Sequence, residues 1–380
     1  MSLIKVSYSM IEGAQVNALD FGADPTGVAD STAAIQNAWD SFTYGMLFLP
    51  AGIYKTTDTL DFSVASTTPR KGVAADNAII RPYVTDKQGV KIGANANQRF
   101  FVLRGPLTID MTNSTGVSCV GFENSGEAWQ ADISDLTVAS SPGVGVKILE
   151  GAYLCNWTNL TTWFNTGIGL SLEGTNLSLA VTTNQFNSLA SSNNGSYGIY
   201  AKSVVGCMFN NPTIESNNTT NAQIYLEEFQ YNSFNAGFIE SSGIGYQIGA
   251  SVLANHLDTH VNCPTEYAQD PGMGIFLRDT RYPVIPFQYG RPISFDVDEV
   301  QTLGSISGFL YLVSSAVPTA AQFCLLPGSS AIVYQSGSDF STTAGTGSKV
   351  NVYWDAGSST HKIQNKLGYT VTLKQQFFMY

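Results

Sequence analysis

Residues 209–218 read FNNPTIESNN and residues 234–243 read FNAGFIESSG, with Phe, Asn, Ile, Glu and Ser recurring in the same order and spacing. The phrase has relatives upstream: ISDLTV from Ile133, WTNLTT from Trp157 and FNSLAS from Phe186 align with it without gaps. Leu257 continues the series of starts beyond Phe234 at a similar interval. About midway between successive starts runs a second series, Val146, Leu170, Ile199, Ile224 and Tyr246. Gly145, Gly169, Gly198 and Gly245 precede four of its members, and Gly116-Val117 extends it backwards. A period of roughly 25 residues, with two short strands and Gly/Asn turns, predicts one coil of a parallel β-solenoid. One coil cannot bury its own apolar face, so coils stack, and equivalent positions lie about 4.8 Å apart.

That stacking assigns roles. Ile133, Trp157, Phe186, Phe209, Phe234 and Leu257 form an inward apolar ladder. The next position, Ser134, Thr158, Asn187, Asn210, Asn235 and Asp258, becomes a polar ladder at a corner, where stacked Asn amides bond along the axis. Asp135 aligns with Asn159, Ser188 and Asn211 and reads as a turn residue.

Composition agrees with a β-rich chain. Of 380 residues 43% are hydrophobic, enough for a core, while only 12% are charged, about half the usual share. Gly, Ser, Thr and Asn fill the difference. The net charge of −11 and the lack of a basic stripe remove the electrostatic footprint of nucleic-acid binding. No run of 18 apolar residues predicts a membrane span, and MSLIKVSYSM lacks the regions of a signal peptide. Met1-Ser2-Leu3 reads as an expression scar. The five cysteines are scattered, without metal spacing, and read as small buried hydrophobes. No cofactor is expected.

One strong helix is predicted near the start. Asp30 or Ser31 caps it, and Ile35, Ala38, Trp39 and Phe42 form one apolar face. GADPTG before it is turn chemistry, and MLFLPAGIYKT after it reads as strand, turn and strand. A single amphipathic helix ahead of a β repeat suits a cap.

DFGADPTGVADSTAAIQNAW followed by FLPAGIY resembles the entry motif of the pectate-lyase-like right-handed β-helix superfamily, above all of phage tailspikes and capsule depolymerases. The motif spans about Asn17 to Tyr54, and with the coils the resemblance reaches about residue 290. It implies an all-β fold: a right-handed parallel β-helix with an N-terminal helix cap and a small C-terminal β-domain. The expected organisation is a linker to the virion at 1–15, a cap at 16–62, the β-helix at 63–290 and a trimerising β-domain at 291–380. Within the last, Val350, Val352 and Trp354 alternate as in a half-buried strand. The resemblance further implies a homotrimer on a phage tail or baseplate, acting outside the host cell on bacterial surface polysaccharide, capsule or O-antigen, without membrane insertion. Lyases, hydrolases and non-enzymatic adhesins share this fold, so chemistry must be argued from residues. The Asp/Lys/Arg set of calcium pectate lyases is not recognisable here. A cellular pectinase fits poorly without a signal peptide.

Glycoside hydrolysis needs two carboxyl groups, near 5 Å apart for retention and about 6.5–9.5 Å for inversion. Glu215 and Glu240 occupy the same position of adjacent coils and are the expected catalytic pair, pointing outward if Ile214 and Ile239 point in. Trp163 falls in the same register and is the expected sugar platform, with Trp129 and Tyr197 as further aromatics. Glu228, of the Glu227-Glu228 pair, and His256, in NHLDTH, are expected to contact substrate. A His base in that cluster would instead suit a lyase, with Tyr246 or Tyr267 near it in sequence. The competing reading makes both glutamates turn residues, followed as they are by Asn217-Asn218 and Ser241-Ser242. No metal site is expected: HxxxH has no helix to support it, and FDVDE at 295–299 lacks the loop glycine and ligand set of an EF-hand.

Overall fold

The computed structural model describes residues 15–263 apart from 65–70, 94–97, 126–127, 219–220, 250–251 and 253–254, and beyond them 265–269, 276–277, 288–295, 298, 300–304, 308–314, 320–326, 328–336, 338, 340–367 and 371–379. Residues 1–14 of the expected linker lie outside the described residues. The chain divides into two compact units, Met1–Met273 and Gly274–Tyr380.

The first unit is a parallel β-solenoid of about 9 turns. Each coil of its central part repeats one path. A short strand such as Asn156–Thr158 ends at a corner residue with positive φ, and a second strand such as Thr161–Trp163 follows. After a turn comes a strand on the other sheet, such as Ile199–Val205, and a last corner returns the chain. The predicted register holds. Ile133, Trp157, Phe186, Phe209, Phe234 and Leu257 are consecutive partners, each no more than 1% exposed. Rings from Trp157 to Phe234 stack face on, tightening to centroids 4.3 Å apart between Phe209 and Phe234. Val146, Leu170, Ile199, Ile224 and Tyr246 form the facing column. Its backward extension is Phe122 and then Val90, not Gly116-Val117. Val117 is 84% exposed, in a segment between strands. A glycine before an apolar residue marks a strand start only where that residue can reach the core.

The corner asparagines stack as expected: Asn235 donates to Asn210 and Asn210 to Asn187, each at 2.9 Å. Asp135, Asn159, Ser188, Asn211 and Ala236 all take φ between 51° and 57° at the adjoining corner. Two further polar stacks run inside the solenoid. In one, Asn165 donates to Asn194 and Asn194 to Asn217, each at 2.8 Å, and Asn217 donates to Gln223. In the other, the order is Cys155, Asn184, Cys207, Asn232 and Asn255, all buried. Backbone N–H groups at these bends have no strand partner, and the side-chain oxygens take them. Burial pushes the Cys155 and Cys207 thiols up to about 12, so both act as apolar filler in neutral form.

The cap covers one end of this core. Helix Thr32–Asp40 buries Ile35, Ala38 and Trp39, and Trp39 packs on Phe62 and Phe101. Lys71 lies over the Trp39 ring, its ammonium 4.2 Å from the centroid. Ser31 holds the N-cap position, yet its hydroxyl accepts from the Asp24 N–H, and the Asp30 carboxylate receives the Thr32 N–H instead. Asp24 organises the preceding turn by accepting from Ala29, Thr26 and Val28. Those donors, the Ala29 N–H foremost, pull its carboxyl down to about 2. An unfolded Asp titrates near about 3.9, so the stabilisation is complete above that pH and vanishes as the pH falls towards 2. In melting curves from pH 6 to pH 2, the margin of the wild type over Asp24→Asn should therefore be constant above about pH 4 and close below it. A margin independent of pH would contradict this role.

The second unit is antiparallel. One sheet runs Gln288–Phe295, Val371–Met379, Gly308–Ser314, Ala320–Leu326 and Ser329–Ser336; the other runs Val300–Gly304, Thr360–Asn365, Val350–Asp355 and Phe340–Ser341, whose last pairing is parallel. Leu310, Leu312, Phe323, Phe340, Val350, Val352 and Ile363 form its core. Trp354 is half-buried, against His361. Of FDVDE, Asp298 pairs with Lys366 at 2.6 Å.

Candidate functional site

The second strand of each coil presents alternate residues outward. Ile214 and Ile239 are fully buried, so Glu215 and Glu240 face away from the core, paired in register on adjacent coils. The column continues through Ser192 and Trp163 on one side and Asn262 on the other. Trp163 is 45% exposed, two coils from Glu215, or about 9.6 Å along the axis.

Three of these strands, those ending at Trp163, Ser192 and Glu215, stop because the next residue is left-handed: Phe164, Asn193 and Ser216 have φ of 52°, 54° and 54°. Asn tolerates this conformation, but a bulky Phe there is strained. Phe164 is also 55% exposed and packs on Trp163, centroids 5.1 Å apart. Just inside, the buried Asn165, Asn194 and Asn217 stack holds these turns at fixed height. The glutamates are thus both outward strand residues and the last residues before a turn, so the two readings of the sequence describe one geometry.

Beside them lies an open hollow of about 750 Å³, lined by Ser216, Asn217, Glu240, Ser241, Ser242, Asn262 and Cys263. Asn262 donates to the Glu240 carboxylate at 3.1 Å. Among the described residues, Glu215 has no such side-chain partner. Two residues back along the same strands, Phe238 and His260 form a neighbouring outward pair, stacked with centroids 5.6 Å apart. Glu215, Glu240, Phe238, His260 and Asn262 therefore share one face. His260 is exposed. Parity identifies it: Asn262 lies in the glutamate column, so His260, two earlier, points the same way. The bulge between Asn235 and Gly237 hid this from simple counting.

Other expected residues fall elsewhere. His256 pairs in register with Ser233, at the start of the strand His256–Asn262 and six residues before Asn262, and so is not brought to the glutamate column. Its side chain lies outside the described residues, as does that of Tyr267. Glu228 has φ of 48° at a kink on the other sheet and accepts a hydrogen bond from the buried Ser203 hydroxyl. Local geometry gives it a structural partner away from the glutamates. Glu227, its neighbour, pairs with Lys202 at 3.4 Å. Tyr246 is fully buried with its hydroxyl on Thr259, which removes it as a surface acid. Trp129 packs on Tyr153 with centroids 4.3 Å apart, and Tyr197 joins Tyr200 and Tyr225 on the second sheet. Among the described residues no group of three or more His, Cys, Asp or Glu is placed to hold a metal ion, and no helix is long and apolar enough to cross a membrane.

Chemically, the face offers two carboxylates one coil apart, an amide donor, the stacked Phe238–His260 pair and the Trp163–Phe164 pair. At about 5 Å in water the carboxylates repel by roughly 0.8 kcal/mol, which a bound ligand that excludes solvent would increase.

No sequence family matches the chain, and no curated protein matches it significantly. Among solved structures, ORF18 of Geobacillus virus E2 is 13% identical with TM-score 0.45, over 94% of this chain and 85% of that one. The tailspike protein of Acinetobacter phage vB_ApiP_P1 is 11% identical with TM-score 0.41, over 96% and 87%. Pectate lyase Pel9A is 12% identical with TM-score 0.44, over 62% and 72%. Strand register within the chain establishes the architecture directly: it is a parallel β-helix.

Proposed function

We propose that the chain is a phage tail spike that binds bacterial surface polysaccharide along the outer face of its β-helix and cleaves it by glycosidic hydrolysis. The observation that carries this reading is the register of Glu215 with Glu240, on a column that also holds Trp163. One coil rise, about 4.8 Å, approaches the 5–5.5 Å of retaining enzymes. One carboxyl protonates the leaving oxygen while the other attacks the anomeric carbon. Water then releases the glycosyl intermediate, and the first carboxylate takes its proton. Glu240, held by Asn262, suits the nucleophile because a fixed carboxylate needs less reorganisation; Glu215 suits the acid. Homotrimer formation and the tail location belong to the same proposal and rest on the resemblance that the N-terminal motif carries.

The test is direct. Purified capsule and O-antigen polysaccharides are incubated with the protein, and shorter oligosaccharides with retained anomeric configuration are expected by chromatography and NMR. Products absorbing near 235 nm would indicate a lyase instead. A second reading, binding without cleavage, is favoured by the open setting of Glu240. Retention of polysaccharide with no fragments across the panel would establish it. Trp163→Ala should raise KM about tenfold and change kcat less, since stacking acts on ground state and transition state alike. An unchanged KM would remove Trp163 from the binding face.

A further inference from the structure

The turn that follows the Glu215 column takes one backbone conformation in four coils. Ser140, Phe164, Asn193 and Ser216 all adopt it, with φ between 52° and 61°. Each of their N–H groups donates to a column carbonyl of the next coil: Ser140 to Trp163 at 3.2 Å, Phe164 to Ser192 at 3.3 Å, Asn193 to Glu215 at 3.3 Å and Ser216 to Glu240 at 3.1 Å. Coil stacking therefore imposes the left-handed shape whatever the side chain. Three of the four coils place a small polar residue there. Phe164 is the exception, and a bulky apolar residue is strained in this region.

Burial does not offset that strain. Phe164 and Trp163 each remain about half exposed, and their rings pack on one another with planes at 53°. The neighbours of Trp163 along the column are small, Ala139 on one side and Ser192 on the other, so both rings stand above the strand surface. A strained residue persists where it serves a ligand or a reaction. Charge narrows the ligand. The nearest charged members of the column are Glu215, two coils to one side, and Asp110, two coils to the other. Asp110 is already paired with Arg81 at 2.9 Å. A uronate seated on the rings would have a carboxylate to either side.

We propose that Phe164 and Trp163 form a two-ring shelf that holds an uncharged sugar unit of the polysaccharide by its apolar C–H face, with Phe164 contacting that unit itself. With its planes tilted, the shelf sets one ring under a pyranose and the other against its edge. The shelf lies two coils from Glu215, about 9.6 Å along the axis. It therefore grips the polymer away from the bond that is cut, and it acts on binding more than on the chemical step. The inference rests on the polysaccharide-binding reading above.

The experiment measures retention of lipid-free O-antigen polysaccharide and of neutral capsular polysaccharide on immobilised full-length protein, with a melting curve and light scattering for every variant. Phe164→Asn should lose about tenfold in affinity, equivalent to about 1.4 kcal/mol. Its melting midpoint should stay level or rise by about 2 °C, because Asn accepts the left-handed turn. Phe164→Leu keeps apolar bulk without a flat ring and should lose affinity similarly, while Phe164→Tyr should stay within about threefold of the wild type. Polygalacturonate, which carries a carboxylate on every unit, should not be retained. Affinity unchanged in Phe164→Asn would overturn the shelf and leave the cleavage proposal intact. Lower affinity with a lower melting midpoint would overturn it too, making the ring a structural support, as would a smaller oligomer, which would make the rings a contact between copies. Phe164-dependent retention of polygalacturonate would overturn the choice of an uncharged unit. Affinity lost in Phe164→Asn, with turnover unchanged in both glutamate variants, would uphold the shelf and remove the carboxylate mechanism. A wild type that retains and cleaves no polysaccharide would overturn both proposals.

Discussion

Glu240→Gln should lower polysaccharide turnover by at least about a hundredfold while the protein still binds its substrate. Glutamine keeps the shape and the hydrogen bond to Asn262, since its amide oxygen still accepts. What it loses is the negative charge and the nucleophilic oxygen. A group that transfers a proton or attacks in the transition state is worth roughly 10²–10⁴ in rate. Glu215→Gln should do the same through the other role, and its effect should shrink for substrates with a good leaving group, which need little protonation. The double variant should lose little more than the worse single one, because the pair acts as a unit. Turnover unchanged in both single variants would remove the carboxylates from the mechanism and leave the face a binding surface.

Asn194→Ala should be the most damaging single polar-to-alanine change inside the solenoid, costing about 2–6 kcal/mol. Asn194 is 2% exposed. Its carbonyl receives the Asn165 side-chain amide at 2.8 Å and the Asn165 backbone N–H at 3.2 Å. Alanine leaves both donors in the interior without an acceptor, and each costs about 1–3 kcal/mol. Its own amide also bridges to Asn217 and to the Ser191 hydroxyl. Asn210→Ala at the corner should cost about 1 kcal/mol, since water can reach the half-buried Asn187 and Asn235. Denaturant unfolding of both variants checks the order, and similar losses would show that the interior stack holds no more than the outer one. A loosened Asn194 turn should also lower activity, because Ser192 and Glu215 are register partners.

The repeated phrase made much of this legible before any coordinates. Phe209 and Phe234 could be placed against one another because a strand repeats its surroundings once per coil. The outward aim of both glutamates followed from Ile214 and Ile239 by alternation. The same logic failed where alternation breaks. Glu228 reads as a strand residue, yet the backbone kinks there and ties it to Ser203. His256 and His260 lie on one strand, but His256 pairs with Ser233 while a bulge in the neighbouring strand brings His260 opposite Phe238, so His260 is the one beside the glutamates. Gly116-Val117 matched the pattern of a strand start and is exposed, since local pattern does not report whether a core is within reach.

The sequence by itself determined the coil, its period, its two apolar columns and the pairing of Glu215 with Glu240, because stacking at one strand spacing converts equal positions into contacts. Only the tertiary structure decided which polar residues share a face. That depends on bends of a single residue, the left-handed corners at Phe164, Asn193, Ser216 and Glu228, and one residue of bulge is enough to turn a side chain from one surface to another.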